Sequence, residues 1–275
     1  MKKTILITGA TDGIGLLTAK KLAGKGHRLL LHGRSQEKLS AAASQVSSVA
    51  GSTEVETYCA DLSELDSVKR LAEEVRAAEA SLDILINNAG VWCTPVPVNG
   101  QGLDMRIVVN TIAPYLLTRE LLPLVSKEGR VLNLSSKAHA PVDLEVFSGK
   151  TEMSEREAYA QSKLAISMWT LQIADELGPD GPVMISVNPG SLLATKMVKE
   201  AFGTDGADLS IGADILVRLA LEDEFANDTG RYFDNDLGRF APLQDAGMDP
   251  AKRAALVAAM DEVIAEAGAK EPSTN

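Results

Sequence analysis

Apolar and polar positions follow two interleaved rhythms along the chain. Short apolar runs at 5–7 (ILI), 27–32 (ending RLLLH), 55–60, 82–86 (LDILI), 130–134 (RVLNL) and 183–187 read as strands, with a last one near Tyr232 and Phe233. Between them, apolar residues recur at helical spacing over 14–25, 35–48, 103–126, 155–177 and 211–221, and from Ser63 onward at Leu65, Val68, Leu71, Ala72 and Val75. Helix ends are punctuated. Gly24 and Gly26 close the first helix, Ser63 with Asp66 and Ser154 with Glu157 look like capping boxes, and the tail helix has Asp249 as cap, Pro250 in its first turn and Gly268 after its end. Residues Lys270 to Asn275 are expected to fray.

Strand and helix alternating through short connections predict an α/β fold, a doubly wound parallel sheet with helices on both faces, as a single domain over residues 1–275. The stretches 91–102, 137–154 and 191–210 break this regularity, each after a strand of the later half. Loops at the carboxyl ends of parallel strands are where ligands sit, so these are the expected substrate loops.

Composition narrows the function classes. At 275 residues with 45% hydrophobic content, the chain can bury one large core. A net charge of −11 disfavours nucleic acid and anionic lipid as partners. No apolar run reaches the length of a membrane span, and the run in MKKTILITG is too short for a signal peptide, so a cytoplasmic location is expected. Two cysteines, Cys59 and Cys93, and three histidines at no metal-binding spacing suggest neither a disulfide nor a metal site. The cysteines are expected to fill small apolar gaps near the sheet.

Candidate chemistry begins at Thr8 to Gly15, TGATDGIG, between the first strand and the first helix. Glycines in such a turn let a bulky anion approach the backbone, and the helix start offers unpaired N–H groups to it. The spacing Gly9, Gly13, Gly15 departs from G-x-G-x-x-G, so the turn alone reads equally as a nucleotide site or a bend. Tyr159 and Lys163 stand four apart on one helical face. A phenol near pKa 10 becomes a useful acid or base at neutral pH only when positive charge favours its phenolate, and Lys163 with an oxidised nicotinamide ring could supply that charge.

Taken in order, TGATDGIG, NNAG at 87–90, Asn110, Ser136 after RVLNLS, YAQSK at 159–163 and Asn188-Pro189-Gly190 resemble the short-chain dehydrogenase/reductase family, NAD(P)-dependent enzymes on a Rossmann-type sheet. The resemblance runs from Thr4 to about Phe233. It implies Tyr159 as acid/base, Lys163 as its tuner and holder of the nicotinamide ribose, Ser136 on the substrate oxygen, and Asn110 positioning a water. Pro114, four residues after Asn110, has no N–H to return to the Asn110 carbonyl, which leaves that carbonyl able to hold a water; a simple kink is the plainer reading. For the cofactor, the resemblance implies Gly9, Thr11, Gly13, Ile14 and Gly15 at the pyrophosphate, Asp61 and Leu62 at the adenine, and Asn87, Asn88, Ala89 and Gly90 on the adenosine side. Pro189, Gly190 and Thr195 fall at the nicotinamide end.

After the second strand the acid that would hold the 2′-hydroxyl of NAD is missing, and Arg34 with Ser35 stands there, a pair suited to a 2′-phosphate. NADP(H) is therefore expected, with NAD(H) possible. The interval between Ser136 and Tyr159 is longer than in most members and resembles the retinol dehydrogenase-like and protochlorophyllide reductase-like branch. Trp92, Leu192, Leu193, Met197, Val198 and Phe202 suggest an apolar pocket under a mobile lid, or simple packing of the loops. His139 reads as a surface loop residue. The helix at 155–177 is apolar around more than one face, so it is either sandwiched within the fold or shared with a second subunit, as in a dimer or tetramer. The expected function is a carbonyl reductase or alcohol dehydrogenase. The alternatives are a non-catalytic NADP(H)-sensing module, against which the Asn110, Ser136, Tyr159 and Lys163 set argues, and a sugar-nucleotide epimerase or dehydratase, for which little chain remains beyond Phe233.

Overall fold

Successive residues of the first strand point to opposite sides, and that alternation builds two cores. The computed structural model describes residues 1–50, 54–149 and 153–269, apart from the side chains of Ala50, Phe202 and Ala269; the tail 270–275 and part of the long loop lie outside the described residues. In β1 (Thr4–Ile7), Ile5 and Ile7 join one apolar cluster and Leu6 the other. The first cluster packs α1 (Gly13–Ala23), α2 (Gln36–Ala50) and α8 (Leu209–Leu221) on one face of the sheet. On the other face, the second cluster packs α3 (Leu65–Ala78), α5 (Ala113–Leu121), α6 (Glu155–Leu177) and α10 (Pro250–Ala269).

The remaining strands are β2 (Arg28–Gly33), β3 (Val55–Cys59), β4 (Leu82–Asn87), β5 (Val125–Leu134), β6 (Val183–Asn188), β7 (Arg231–Asp234) and β8 (Arg239–Ala241). Their order is β3-β2-β1-β4-β5-β6-β7-β8, a Rossmann-like arrangement. Chain order reverses between β1 and β4, with Ile7 beside both Leu31 and Ile86. The crevice at that switch point is where the glycine turn emerges. β8 runs antiparallel to β7, so the sheet is not wholly parallel. A tight turn suffices to add an antiparallel edge strand, and three residues with one large apolar side chain carry too little pattern to be seen in advance.

Several boundaries differ from the sequence expectation for local reasons. The helix expected over 103–126 is three pieces, α4 (Met105–Ile107), a π turn over Val108–Ile112 and α5, and Pro123 ends it in a 3₁₀ turn at Leu122–Leu124. β5 then begins at Val125, with a register shift against β4 between Leu82 and Ile84. The irregularity expected at Pro114 is therefore this π turn, in which Ala113 N–H bonds the Val108 carbonyl. Ser63 does not cap α3. Glu64 is its cap without a side-chain bond, because the Ser63 N–H and hydroxyl are both taken by Asp61 Oδ1, at 2.9 and 2.8 Å. Ser154 does cap α6, accepting from Glu157 N–H. α10 continues past Gly268, since one glycine near a helix end costs only about 1 kcal/mol. α7 (Lys196–Phe202) and α9 (Asp245–Met248) were not anticipated.

α6 is sandwiched within the fold. Leu164, Trp169 and Ile173 are buried in the same cluster as Leu256, Met260 and Val263 of α10. Polar bonds fix the docking, with Arg253 on Asp175 at 2.6 Å and the Tyr115 hydroxyl donating to Asp261 at 2.8 Å. Among the described residues, no helix is long and apolar enough to cross a membrane.

Candidate active site

At the end of β1 the backbone turns through Gly9 and Gly13, both at positive φ (+65° and +56°), and Asp12 caps α1 by accepting from Gly13 N–H at 2.7 Å. A Cβ on Gly15 would stand 2.3 Å from the Gly9 carbonyl oxygen and 2.4 Å from Asn88 Nδ2. Asn88 is what brings these surfaces together. Its amide donates to the Thr8 and Gly9 carbonyls at 2.8 and 3.1 Å, while the Thr8 hydroxyl accepts from the N–H groups of Asn88 and Ala89. The ends of β1 and β4 are thereby sewn together across the switch point, leaving a shallow backbone cradle at a helix N-terminus. That cradle fits a pyrophosphate.

His32 supports the cradle from beneath. Its Nδ1 accepts from Gly9 N–H at 3.3 Å, and Nε2 lies 3.1 Å from the Ala60 carbonyl, an arrangement that suits the neutral ring protonated on Nε2. Burial pulls its pKa down to about 4. The unfolded imidazole takes a proton below about 6.5, which the folded one refuses until about pH 4. The stability His32 contributes is thus fully present above pH 6.5 and lost as pH falls toward 4, a change of ~3 kcal/mol. His139, also pulled down to about 4 by burial, acts in the same window. Urea midpoints between pH 7 and pH 4 are expected to fall, and less steeply in His32→Asn; a midpoint level across this range would contradict it.

A cavity of about 1340 Å³ runs from this cradle to the loops at the carboxyl ends of the later strands. That exceeds the usual span for a single small ligand, leaving room for a dinucleotide and a substrate together. Gly9, Thr11, Gly13, Ile14, Gly15, Arg34, Ser35, Asp61, Leu62, Asn88, Ala89, Gly90, Ser136, Tyr159, Lys163, Pro189, Gly190 and Thr195 all line it. Asn87 does not. Strand alternation turns its side chain into the opposite layer, where its amide donates to Thr118 Oγ1 and Asn133 Oδ1, so the side chain is buried and does not border the cavity. Thr195 also caps α7.

At the far end, α6 carries Tyr159 and Lys163 on one face, with Lys163 Nζ 5.6 Å from the Tyr159 ring centre and donating to the Leu134 carbonyl at 2.8 Å. Ser136, from the loop after β5, lies beside the Tyr159 phenol on the cavity wall and favours its phenolate. Ser135, which also borders the cavity, accepts from Ser167 while donating to the Lys163 carbonyl at 2.7 Å, which ties the end of β5 to α6. Burial pushes the Tyr159 phenol up, opposed by the Ser136 bond, and lowers the Lys163 ammonium to about 8. Among the protein's own groups, burial therefore outweighs the lowering of the Tyr159 pKa expected from sequence.

Asn110 does not face the cavity either. It sits on the π turn, where Oδ1 accepts from Val91 N–H at 2.8 Å and Nδ2 donates to the Val91 carbonyl and to Ser162 Oγ. Its side chain thus clamps the start of the first substrate loop. His139 is a half-buried loop residue at the cavity's border, bonded to Ser135 Oγ at 3.0 Å and 5.2 Å from the Tyr232 ring. Cys59 and Cys93 are free and exposed, not gap fillers; Cys59 ends an edge strand and Cys93 borders the cavity.

Sequence reasoning missed three side chains. Lys38, in the first turn of α2, borders the cavity with Arg34 and Ser35. Asp236, in the β7–β8 turn, accepts from Ser191 N–H at 2.9 Å and from Asn188 Nδ2 at 3.1 Å, anchoring the loop after β6. Arg106 is buried beneath the first substrate loop. A lone arginine in the apolar stretch MRIVV was the available signal for the last.

The family model for short chain dehydrogenases matches residues 3–205. Human retinol dehydrogenase 13 is 32% identical over 265 residues, covering 89% of this chain and 79% of the relative. Mouse retinol dehydrogenase 11 is 36% identical over 194 residues, covering 69% of this chain and 61% of the relative. Among solved structures, a short chain dehydrogenase from Shigella flexneri complexed with NADP is 30% identical, with a TM-score of 0.69 over 85% of this chain and 97% of its own.

Proposed function

Because the chain belongs to the short-chain dehydrogenase family, in its retinol dehydrogenase-like branch, and is an NAD(P)-dependent oxidoreductase of alcohol or carbonyl groups, we propose that it is an NADP(H)-dependent carbonyl reductase for apolar or bulky substrates. The observation that carries this reading is the meeting of Ser136, Tyr159 and Lys163 on one wall of the cavity that has the glycine cradle at its other end.

Bound along the glycine cradle and Lys163, NADPH would supply a hydride for the carbonyl carbon. The Tyr159 hydroxyl gives its proton to the carbonyl oxygen, and Ser136 orients that oxygen by a hydrogen bond. A phenol is protonated at neutral pH, the state that reduction requires, and burial pushes the Tyr159 pKa further up. Lys163 holds the nicotinamide ribose hydroxyls, and its charge favours the phenolate that remains after transfer. Asn110 fixes the loop beside them. Run in reverse, the same groups take the alcohol proton.

Arg34, Ser35 and Lys38 support NADP(H) over NAD(H), since two cations and a hydroxyl suit a 2′-phosphate. Replacing Arg34 by Glu is expected to raise the KM for NADPH about tenfold or more while leaving that for NADH near its original value. Equal effects on both would count against the assignment. Leu192, Leu193, Met197 and Val198 line the substrate end of the cavity and support an apolar substrate. The net charge of −11 supports a cytoplasmic enzyme working away from anionic lipid. The direct test is oxidation of NADPH and NADH, side by side, on aldehydes, ketones and quinones graded by size and polarity. Turnover confined to NADH, or to small polar carbonyls, would overturn the corresponding half of the proposal.

A further inference from the structure

Arg106 is buried to 2% side-chain exposure in an apolar layer, a position that requires a purpose or a partner. It has a partner. Asp104 meets its guanidinium side-on, Nε to Oδ1 at 2.9 Å and Nη2 to Oδ2 at 2.6 Å, which neutralises the charge with two of the three guanidinium nitrogens. The third, Nη1, is spent elsewhere. It donates to the Trp92 carbonyl at 3.2 Å and to Glu155 Oε1 at 3.3 Å. Glu155 opens α6 one turn before Tyr159, so a single planar group joins the first substrate loop, α4 and the start of the helix that carries the proposed proton donor.

What this junction holds is the main chain of Trp92, which carries an indole. The Trp92 ring lies 4.4 Å from the Tyr159 ring at 45°, bordering the cavity where the reacting carbonyl would meet the phenol. Neighbouring Val91 is pinned to Asn110, so successive residues of the loop are fixed by separate side chains. A flat π face at that position stacks well on a planar ring attached to the reacting carbon and poorly on a puckered one of the same size.

We propose that Trp92 is a specificity-determining wall of the substrate site and that Arg106 is the positioning residue that sets it, so that the enzyme favours aryl carbonyls over saturated carbonyls of equal bulk. This rests on the carbonyl reductase reading above. Lysine at position 106 keeps the charge against Asp104 but cannot serve Asp104 and the Trp92 carbonyl together with a rigid fork, so it separates the clamp from the buried ion pair.

The experiment measures kcat/KM of the full chain with NADPH for benzaldehyde and cyclohexanecarbaldehyde. Trp92→Leu is expected to lower the ratio of the two about two- to tenfold. Arg106→Lys is expected to shift the ratio the same way, and the double variant to add nothing further. An unchanged ratio in Trp92→Leu overturns the wall; an unchanged ratio in Arg106→Lys alone overturns the clamp, as does a loss shared equally by both aldehydes. If the unaltered protein reduces neither aldehyde, the aryl preference falls, and a protein inactive on carbonyls of every kind loses the reductase reading as well. The clamp is then decided by the emission of Trp92 in a Trp169→Phe background, which Arg106→Lys should shift; an identical spectrum refutes it.

Discussion

Tyr159→Phe is expected to reduce carbonyl turnover by about 10²–10⁴-fold while leaving the Kd for NADPH nearly unchanged. The substitution removes one oxygen from a ring that otherwise stays packed between Trp92 and the Lys163 side chain. Little packing is lost, since the ring itself remains. What disappears is the proton donor aimed at the substrate oxygen: the Ser136 hydroxyl is too weak an acid, burial lowers His139 to about 4, which keeps it neutral at pH 7, and the Lys163 ammonium donates to the Leu134 carbonyl with its Nζ 5.6 Å from the ring centre. Stopped kinetics with intact binding, read by titration of NADPH fluorescence, would support the assignment. Turnover within tenfold of the unaltered enzyme would refute it.

Gly15→Ala is expected to abolish dinucleotide binding and to lower Tm by several degrees. The new methyl would need to stand 2.3 Å from the Gly9 carbonyl oxygen and 2.4 Å from the Asn88 amide. Neither can yield alone, because Asn88 holds the Gly9 and Thr8 carbonyls and Thr8 holds the start of the β4 loop. Relief requires opening the seam between β1 and β4, and the phosphate cradle is part of that seam. Gly100→Ala is the control: nothing stands within 4 Å of its Cβ position, and neither binding nor Tm should change. Intact NADPH affinity in Gly15→Ala would mean the anion does not use this turn.

The strands and helices around the seam were largely legible because their patterns are local. An apolar run bounded by glycine and a helix capped by Ser154 are written in adjacent residues, and α6 appears where its periodicity predicts. The misplacements share a cause in competition between neighbours. Ser63 resembled a helix cap, but Asp61 two residues earlier takes both its donors. The stretch 103–126 kept a helical period that could not reveal the π turn, which changes the register of bonds and not the apolar spacing.

Side-chain direction at the site was less legible than residue identity. Asn87 and Asn88 are adjacent asparagines in one motif, yet one is locked to Asn133 and Thr118 inside the sheet layer and the other borders the cavity. Ser135 and Ser136 both border the cavity but differ in role, the first tying strand to helix and the second lying beside Tyr159.

The sequence by itself determined the alternation of strand and helix, the glycine turn at the first crossover and the placing of Tyr159 and Lys163 on one helical face, because each depends on residues a few positions apart. Only the tertiary structure decided that α10 covers α6, that burial and not Lys163 dominates the Tyr159 phenol, and that Arg106 reaches Trp92 and Glu155. Those outcomes depend on which distant segments share a buried volume, and in that volume the cost of removing a charge or a phenol from water is set by every neighbour at once.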